Sequence, residues 1–454
     1  MTMPDTMEAM LLQVIRAVKD HRVEELQRNL DELQPYDMAE MYRAMPAKHH
    51  PKFLPMLTDE QLTLLIQELE DEEQLAILQM IGQERASRIL DLMENDDLAD
   101  LLSSLSQEQS ASLLSSMRKE ESETVRNLMR YPPQTAGGIM TNRYVWIKDH
   151  FTVREAVEKI KAFAEYAENI YYLYVLDDQK KLVGVVSYRD LVLADSGDRI
   201  KDIMYSRVIS VPVMMDQEEV ARTIERYDFI ALPVVDEENR LVGIVTGDDI
   251  IDVIVEEANE DIHKLSATGS TIDFRTRAFE AAMRRLPWLI LLLFLGIVSA
   301  SVLSIFESTL NRVVALAFFM PMIAGMTGNT GTQSLAIVVR GLVSQTIDSA
   351  AIRRLVAREF LVGLTVGLVC GLLIAGITYL WQGNAVLSLV IGSSLLITLI
   401  IGTMAGTVIP IVLYRLRVDP AIASGPLITT LNDIFSLLVY FGLATMFLSR
   451  ILLE

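Results

Sequence analysis

The chain has 454 residues with a mean hydropathy of +0.31, a length that suggests about three domains. Beyond Leu286 lie only six acids (Glu307, Asp348, Glu359, Asp419, Asp433, Glu454) and eight arginines, so of the 60 acids and 40 bases, residues 1 to 285 hold 54 and 32, a net charge of −22 that disfavours nucleic acid and anionic lipid and favours cations. One cysteine, Cys370, excludes an internal disulfide framework or cysteine-based metal site, and the five histidines (His21, His49, His50, His150, His263) have no zinc spacing.

The opening Met-Thr-Met-Pro-Asp has no basic region leading into an apolar core, which predicts no signal peptide. Residues 7 to 130 then read as short amphipathic helices, each opened by cap-like polar residues and followed by apolar positions at helical spacing. Thr58-Asp-Glu-Gln precedes Leu62, Leu64 and Leu65, and Asn95-Asp-Asp precedes Leu98, Leu101 and Leu102. The loose recurrence predicts a superhelical stack. Asp96 and Asp100 fall one turn apart with Asp97 alongside, which a helix start also favours through its dipole.

Tyr131-Pro132-Pro133 ends this region, because two prolines cannot continue a helix. An internal repeat follows. Gly138-Ile-Met140-Thr is echoed by Asp202-Ile-Met204-Tyr, and the strand ending Val-Ser-Tyr-Arg-Asp190 by the one ending Val-Thr-Gly-Asp-Asp249. Each copy holds a helical pattern (153 to 163; 217 to 227) and a short apolar strand (171 to 176; 231 to 235). Two copies of one α/β unit across 137 to 254 resemble a tandem pair of CBS domains, whose telling signature is strand-Ser/Thr-x-x-Asp. That resemblance implies an adenosine nucleotide held by Ser187 and Asp190, with Tyr172, Arg189 and Phe229, and a matching Thr246 and Asp249 in the second copy. A carboxylate suits two vicinal ribose hydroxyls.

From Asp248 to Asp261 the spacing of Asp248, Asp249, Asp252, Glu256, Glu257, Glu260 and Asp261 keeps many acids on one side of a helix, where like charges repel unless a cation is shared. This helix leads through Phe274 to Arg285 towards five predicted membrane spans: 286 to 306, 311 to 339, 360 to 381, 386 to 413 and 421 to 448. Arg284, Arg285, Arg340, Arg353, Arg354, Arg358, Arg415 and Arg417 fall on one side, and only Arg312 and Arg450 on the other. The amino-terminal region is therefore expected to be cytosolic and the carboxyl terminus outside.

The second span contains Pro321, Gly325, Gly328, Asn329, Gly331 and Gln333, which predicts an interrupted, pore-lining helix with Asn329 and Gln333 on one face. Close packing of small residues between membrane helices is the alternative. In the last span Asp433 is the one carboxylate read as lying well inside the membrane, with Thr429, Thr430 and Asn432 nearby. At a cost of ~2.5–3.5 kcal/mol it should face water or a partner. Hard oxygen donors with few charges suit magnesium, which keeps its water shell.

Together the Pro321-x-x-x-Gly-x-x-Gly-Asn-x-Gly-x-Gln segment, Asp433, the five spans, the CBS pair and the acidic helical domain resemble the MgtE family of magnesium channels over essentially the whole chain. The resemblance implies a multidomain membrane protein: an acidic all-α superhelical domain (1–132), a tandem α/β CBS pair (133–254, copies about 137–200 and 201–254), a connecting plug helix (255–285) and a five-helix all-α pore domain (286–454). It implies a homodimer in the cell membrane, with Asp433, Asn329 and Asp419 on the Mg²⁺ path. It further implies cytosolic Mg²⁺ sensing by Asp96, Asp100, Asp216, Glu218, Asp228, Asp249, Asp252, Glu256, Glu257, Glu260 and Asp261, with ATP as a modulator. Gln134 departs from the acid the family carries in its Tyr-Pro-x-x-Thr/Ser-Ala-Gly segment. A coupled transporter of divalent cations, or a nucleotide-sensing membrane receptor, remains open as an alternative. With no nucleophile–base constellation or P-loop, an enzyme is not expected.

Overall fold

The computed structural model describes residues 5–31, 33–164, 167, 169–268, 276–344 and 348–453. Phe274 and the first four residues lie outside them. The chain divides into two compact units, Met1–Val255 and Glu256–Glu454.

In the first unit, ten described α-helices run from Asp5–Lys19 to Lys119–Leu128. Two of them matter below: α1 (Asp59–Gln67) and α2 (Asn95–Ser104). Thr58 caps α1, its hydroxyl accepting from Gln61 N at 3.1 Å while the Gln61 side chain accepts from Thr58 N at 3.2 Å. Leu62 and Leu65 are fully buried and Leu64 points out, as expected of an amphipathic helix. For α2 the capping position is Glu94 rather than Asn95; the buried Asn95 amide instead donates to Asn142 Oδ1 at 2.8 Å. Leu98, Leu101 and Leu102 are buried as the spacing predicts.

The repeat folds as two small mixed sheets. The first contains β1 (Tyr144–Lys148), β2 (Asn169–Leu176) and β3 (Leu182–Ser187), with α3 (Val153–Phe163) as the crossover and α4 (Tyr188–Leu193) after β3. The second contains β4 (Val211–Pro212), β5 (Ala231–Val235) and β6 (Leu241–Thr246), with α5 (Gln217–Tyr227) and then α6 (Gly247–Leu265). In each sheet the first pair is parallel and the second antiparallel. The copies exchange their leading segments. Thr141 pairs with Ile244 and Tyr205 with Val185, which seats Met140 against Gly243 and Met204 against Gly184. A Cβ on either glycine would collide with the methionine sulfur, so the glycine of each Leu-Val-Gly is the site of close approach. A shared core of Tyr174, Leu176, Leu182, Ala231, Val235, Leu241 and Ile244 closes the pair.

The second unit holds the end of α6 and five long helices: α7 (Ala278–Ile305), α8 (Ala315–Ser344), α9 (Ser349–Gln382), α10 (Ala385–Arg415) and α11 (Gly425–Met446). Among the described residues, α7, α9, α10 and α11 are long and apolar enough to cross a membrane. The 30-residue α8 is equally long, but Asn329, Gln333 and its threonines and glycines dilute its apolar run. Two expectations for this stretch are corrected. The segment expected from 311 is split at Val313, a short helix Glu307–Arg312 coming first. The expected interruption does not occur, because α8 runs unbroken through Pro321, which sits in its second turn where little helix precedes it to be kinked.

Small residues explain how these helices approach one another. Gly363, Gly367 and Gly371 of α9 face Thr403, Leu396 and Gly392 of α10, while Gly402 and Gly406 of α10 meet Thr327 and Gly331 of α8. The glycines at 328 and 331 therefore serve packing, the alternative that the spacing left open. Helix α10 is the most buried of the spans, whereas the apolar window of α7 is wholly uncovered.

Candidate functional site

On α8, Pro321, Gly325, Asn329 and Gln333 fall four apart along one exposed line, while Thr327, Gly328, Gly331 and Ser334 face inward. The inward face is held by polar braces. Asn432 Nδ2, fully buried, donates to the Thr327 carbonyl at 3.4 Å, and Ser334 Oγ donates to Glu359 Oε2 at 3.0 Å. Asp433 follows Asn432 on α11. It is partly exposed and makes no ion pair among the described residues.

Glu359 is a second carboxylate on a long apolar helix. It lies inside α9, is 2% exposed and pairs with Arg358 at 2.9 Å. Sequence reasoning missed it because the span was drawn from residue 360, and because only packing shows that the carboxylate is buried while the Arg358 side chain stays largely exposed. Asp419 lies in the α10–α11 link, where Oδ1 caps the 3₁₀ turn Pro420–Ile422 by accepting from Ala421 N at 2.8 Å. Its Oδ2 lies 2.6 Å from Lys264 Nζ, so the carboxylate expected to await a metal already has a cation.

The acids expected to sense Mg²⁺, and their neighbours, divide by environment. In the first unit Glu68, Glu94, Asp97, Asp248, Asp249 and Asp252 repel one another through space. Burial, reinforced by neighbouring acids, holds Glu68, Glu94 and Asp97 above the usual carboxylate range. Asp249 is pushed up to about 7, mainly by burial and further by Asp248 and Asp97, despite the hydrogen bond from Thr246 Oγ1. Asp97 accepts from Gln67 Nε2 at 2.7 Å and feels the charges of Asp248 and Asp252 on α6. Of the acids expected on α2, Asp96 is buried and Asp100 exposed. Glu68, Glu94, Asp97 and Asp248 were not among the predicted sensing residues, and only the folding of α2 against the start of α6 brings them together.

Other predicted sensors have local duties. Asp216 caps α5, accepting from Glu218 N at 3.0 Å, Glu218 pairs with Arg222, and Asp228 takes the left-handed conformation (φ 52°) that ends the same helix. Asp252 and Glu256 are exposed on α6, Glu257 and Asp261 partly so, and Glu260 pairs with Lys264 at 2.6 Å. Among the described residues, no three of His, Cys, Asp and Glu converge as a ready-made metal centre.

Between the CBS copies lies a cavity of about 550 Å³, within the usual range for small-molecule sites. Tyr172, Ser187, Arg189, Asp190 and Phe229, all named from the signature, line it, and Arg207 adds a second cation. Ser187 and Asp190 form a capping box on α4: the hydroxyl donates to Asp190 Oδ2 at 2.6 Å and accepts from Asp190 N at 3.1 Å. The signature thus builds the helix start first and offers the outer carboxylate oxygen to a ligand second. Tyr174 also lines the cavity, and its hydroxyl is buried without a partner. Aromatic faces for a base, an acid for a ribose and two arginines for phosphates fit an adenosine nucleotide.

The chain thus joins a helical domain and a CBS pair to long apolar helices of membrane-spanning length, an architecture that the family matches assign to a transporter of divalent cations. Residues 320–443 match the divalent cation transporter family MgtE, 33–134 its intracellular N domain, and 136–197 and 200–256 the CBS domain. The chain is 56% identical over 98% of its own length, and 98% of the relative's, to the magnesium transporter MgtE of Bacillus subtilis. It belongs to the MgtE family of magnesium transporters, and is not an enzyme. Two solved structures are similar to its soluble part. One, the soluble part of a magnesium transporter, has 38% identity and a TM-score of 0.54, covering 56% of this chain and 99% of that one. The other, the cytosolic domain of the Mg²⁺ channel MgtE in complex with ATP, has 36% identity and a TM-score of 0.52, covering 54% and 99%.

Proposed function

We propose that the chain is a Mg²⁺-selective channel for magnesium uptake, closed by cytosolic Mg²⁺ and modulated by ATP. The observation that carries the pore reading is the exposed line of Asn329 and Gln333 on a membrane helix, beside an α11 whose Asp433 has no partner ion among the described residues. Polar groups in that setting need water or a second copy of the chain, and a homodimer with α8 on its two-fold axis supplies both. Paired Asp433 carboxylates then attract a hydrated Mg²⁺, since magnesium dehydrates reluctantly and a charged ring admits it with water attached. Asn329 lines the same path, and Asp419 stands at its cytosolic mouth. The solved relative that is a cytosolic domain supports an amino-terminal region inside the cell; five membrane helices, α8 among them, would then put the carboxyl terminus outside.

Closure follows from charge. Without divalent ions, Asp97, Asp248, Asp249 and Asp252 repel one another and the α2–α6 contact loosens; with Mg²⁺ among them it tightens. The exposed Asp252, Glu256, Glu257 and Asp261 of α6 carry the same balance along that helix, with Asp96, Asp100, Asp216, Glu218 and Asp228 as further sensing acids. Mg²⁺ shifts the gate only by binding the closed arrangement more tightly. The nucleotide relative supports ATP in the cavity around Asp190.

Flux into vesicles containing the full chain, titrated with Mg²⁺ on the cytosolic face, tests the proposal. Flux should follow the Mg²⁺ gradient without proton or sodium dependence and fall at millimolar cytosolic Mg²⁺. Asp433→Asn should keep a monodisperse protein yet lose about tenfold or more of the flux, because ~1.4 kcal/mol of lost attraction is already a factor of ten. Proton- or sodium-coupled flux would make the protein a coupled transporter instead, and wild-type flux in the variant would remove Asp433 from the path.

A further inference from the structure

Glu260 and Asp419 were both assigned to Mg²⁺ by family resemblance, and in this structure both belong to one lysine. Lys264, in the last turn of α6, places Nζ 2.6 Å from Glu260 Oε1 and 2.6 Å from Asp419 Oδ2. The next residue, Leu265, packs against Leu335 and Val339 of α8 and against Ala421, Ala423 and Ile428 of the α10–α11 link and the start of α11. Just beyond, Thr268 Oγ1 lies 3.0 Å from His263 Nδ1 and closes the end of the helix. Partial burial opposes a charge on Lys264, but hydrogen bonds to Asp419 and Glu260 outweigh it and hold the ammonium above the usual lysine range.

We propose that Lys264 is a positioning residue of the gate: a tethered cation that holds the end of α6 against α8 and the α10–α11 link, where the gating reading would otherwise need a metal ion, and so sets how much Mg²⁺ closes the pore. The proposal rests on the gating reading above. Two carboxylates facing each other across a mobile contact need a positive charge between them, and either a divalent ion or an ammonium supplies it. The ammonium is intramolecular, so it is present at every Mg²⁺ concentration and at high effective concentration. It biases the docked arrangement before any metal binds, and Mg²⁺ elsewhere then has less of the equilibrium left to shift. Asp419 suits the task because its other oxygen is fixed by the Ala421 N–H, so the acceptor does not swing.

The test uses the full chain in vesicles, with each variant's flux normalised to its own value at the lowest cytosolic Mg²⁺. Lys264→Gln should raise the half-closing Mg²⁺ concentration about fivefold, and Lys264→Arg should return it to the wild-type range. Amide hydrogen exchange without Mg²⁺ should show residues 258–265 less protected in Lys264→Gln than in wild type. Adding Asp419→Asn to Lys264→Gln should give no further loss of protection, since both act through one contact. An unchanged or lowered half-closing concentration overturns the proposal, as does unchanged exchange in Lys264→Gln. A wild type that stays open at every Mg²⁺ concentration overturns the gating reading instead, and the exchange comparison still decides whether Lys264 holds α6.

Discussion

Asp249 shows how burial sets the charge of a single side chain. Its hydrogen-bonding geometry is that of a helix cap, yet burial beside Asp248 and Asp97 pushes it up to about 7. A carboxyl whose folded pKa lies above its unfolded value binds more protons when native. Stability without divalent ions should therefore fall as pH rises from about 4 to about 7, and lie at its lower plateau above that. The raised positions of Glu68, Glu94 and Asp97 act with the same sign. Thermal melts of the full protein in detergent with chelator should show this decline, and Asp249→Asn should flatten it and raise the melting temperature at pH 8. The gain should be on the order of 1–4 kcal/mol, since each tenfold change in a carboxyl's proton affinity on folding is worth about 1.4 kcal/mol. Millimolar Mg²⁺ should shrink the difference between the two proteins, because the ion neutralises the same charges.

On helix α8, Gly328 and Gly331 face inward, whereas Asn329 and Gln333 lie along the exposed line with Gly325. A Cβ on Gly406 of α10 would run into the backbone of Gly331, which cannot yield as a flexible side chain does. Gly406→Val should therefore destabilise the bundle by at least about 1–3 kcal/mol, seen as early melting and loss of monodispersity. Gly376→Ala, where nothing lies within 4 Å, should be neutral or slightly stabilising in a helix. The exposed line makes its own prediction. With Cys370 replaced, a cysteine at position 329 should react with charged thiol reagents in the membrane, whereas one at position 372, an outward leucine of α9, should not. Equal labelling would place Asn329 against lipid.

Across the whole molecule, the proposed regulation by Mg²⁺ and that by ATP are linked by thermodynamics. If ATP favours the compact, Mg²⁺-loaded arrangement, Mg²⁺ must raise ATP affinity by the same factor that ATP raises Mg²⁺ affinity. Calorimetry of the full protein should give equal factors in the two titrations, and Asp190→Ala should weaken ATP binding while leaving Mg²⁺ closure without ATP intact. Heat of ATP binding that ignores Mg²⁺ would separate the cavity from the gate.

Much of this organisation was legible in the sequence because it is written in local periodicity. Helices 153–163 and 217–227 and strand 231–235 follow from alternation and caps within a dozen residues, as does the capped strand-to-helix turn at Ser187 and Asp190. The membrane helices and the lone line of Asn329 and Gln333 follow from the cost of polar groups among apolar ones. What only tertiary structure decided are the partners of long charged side chains. Glu359 is buried because α9 packs on Ser334, Asp97 feels Asp248 and Asp252 because the fold brings α2 near the start of α6, and Asp419 pairs with Lys264 because their helix ends meet. Periodicity reports which face of an element is apolar, but a charge's role depends on what lies within a few ångströms of it, and residues on other elements of the chain supply that only after it has folded.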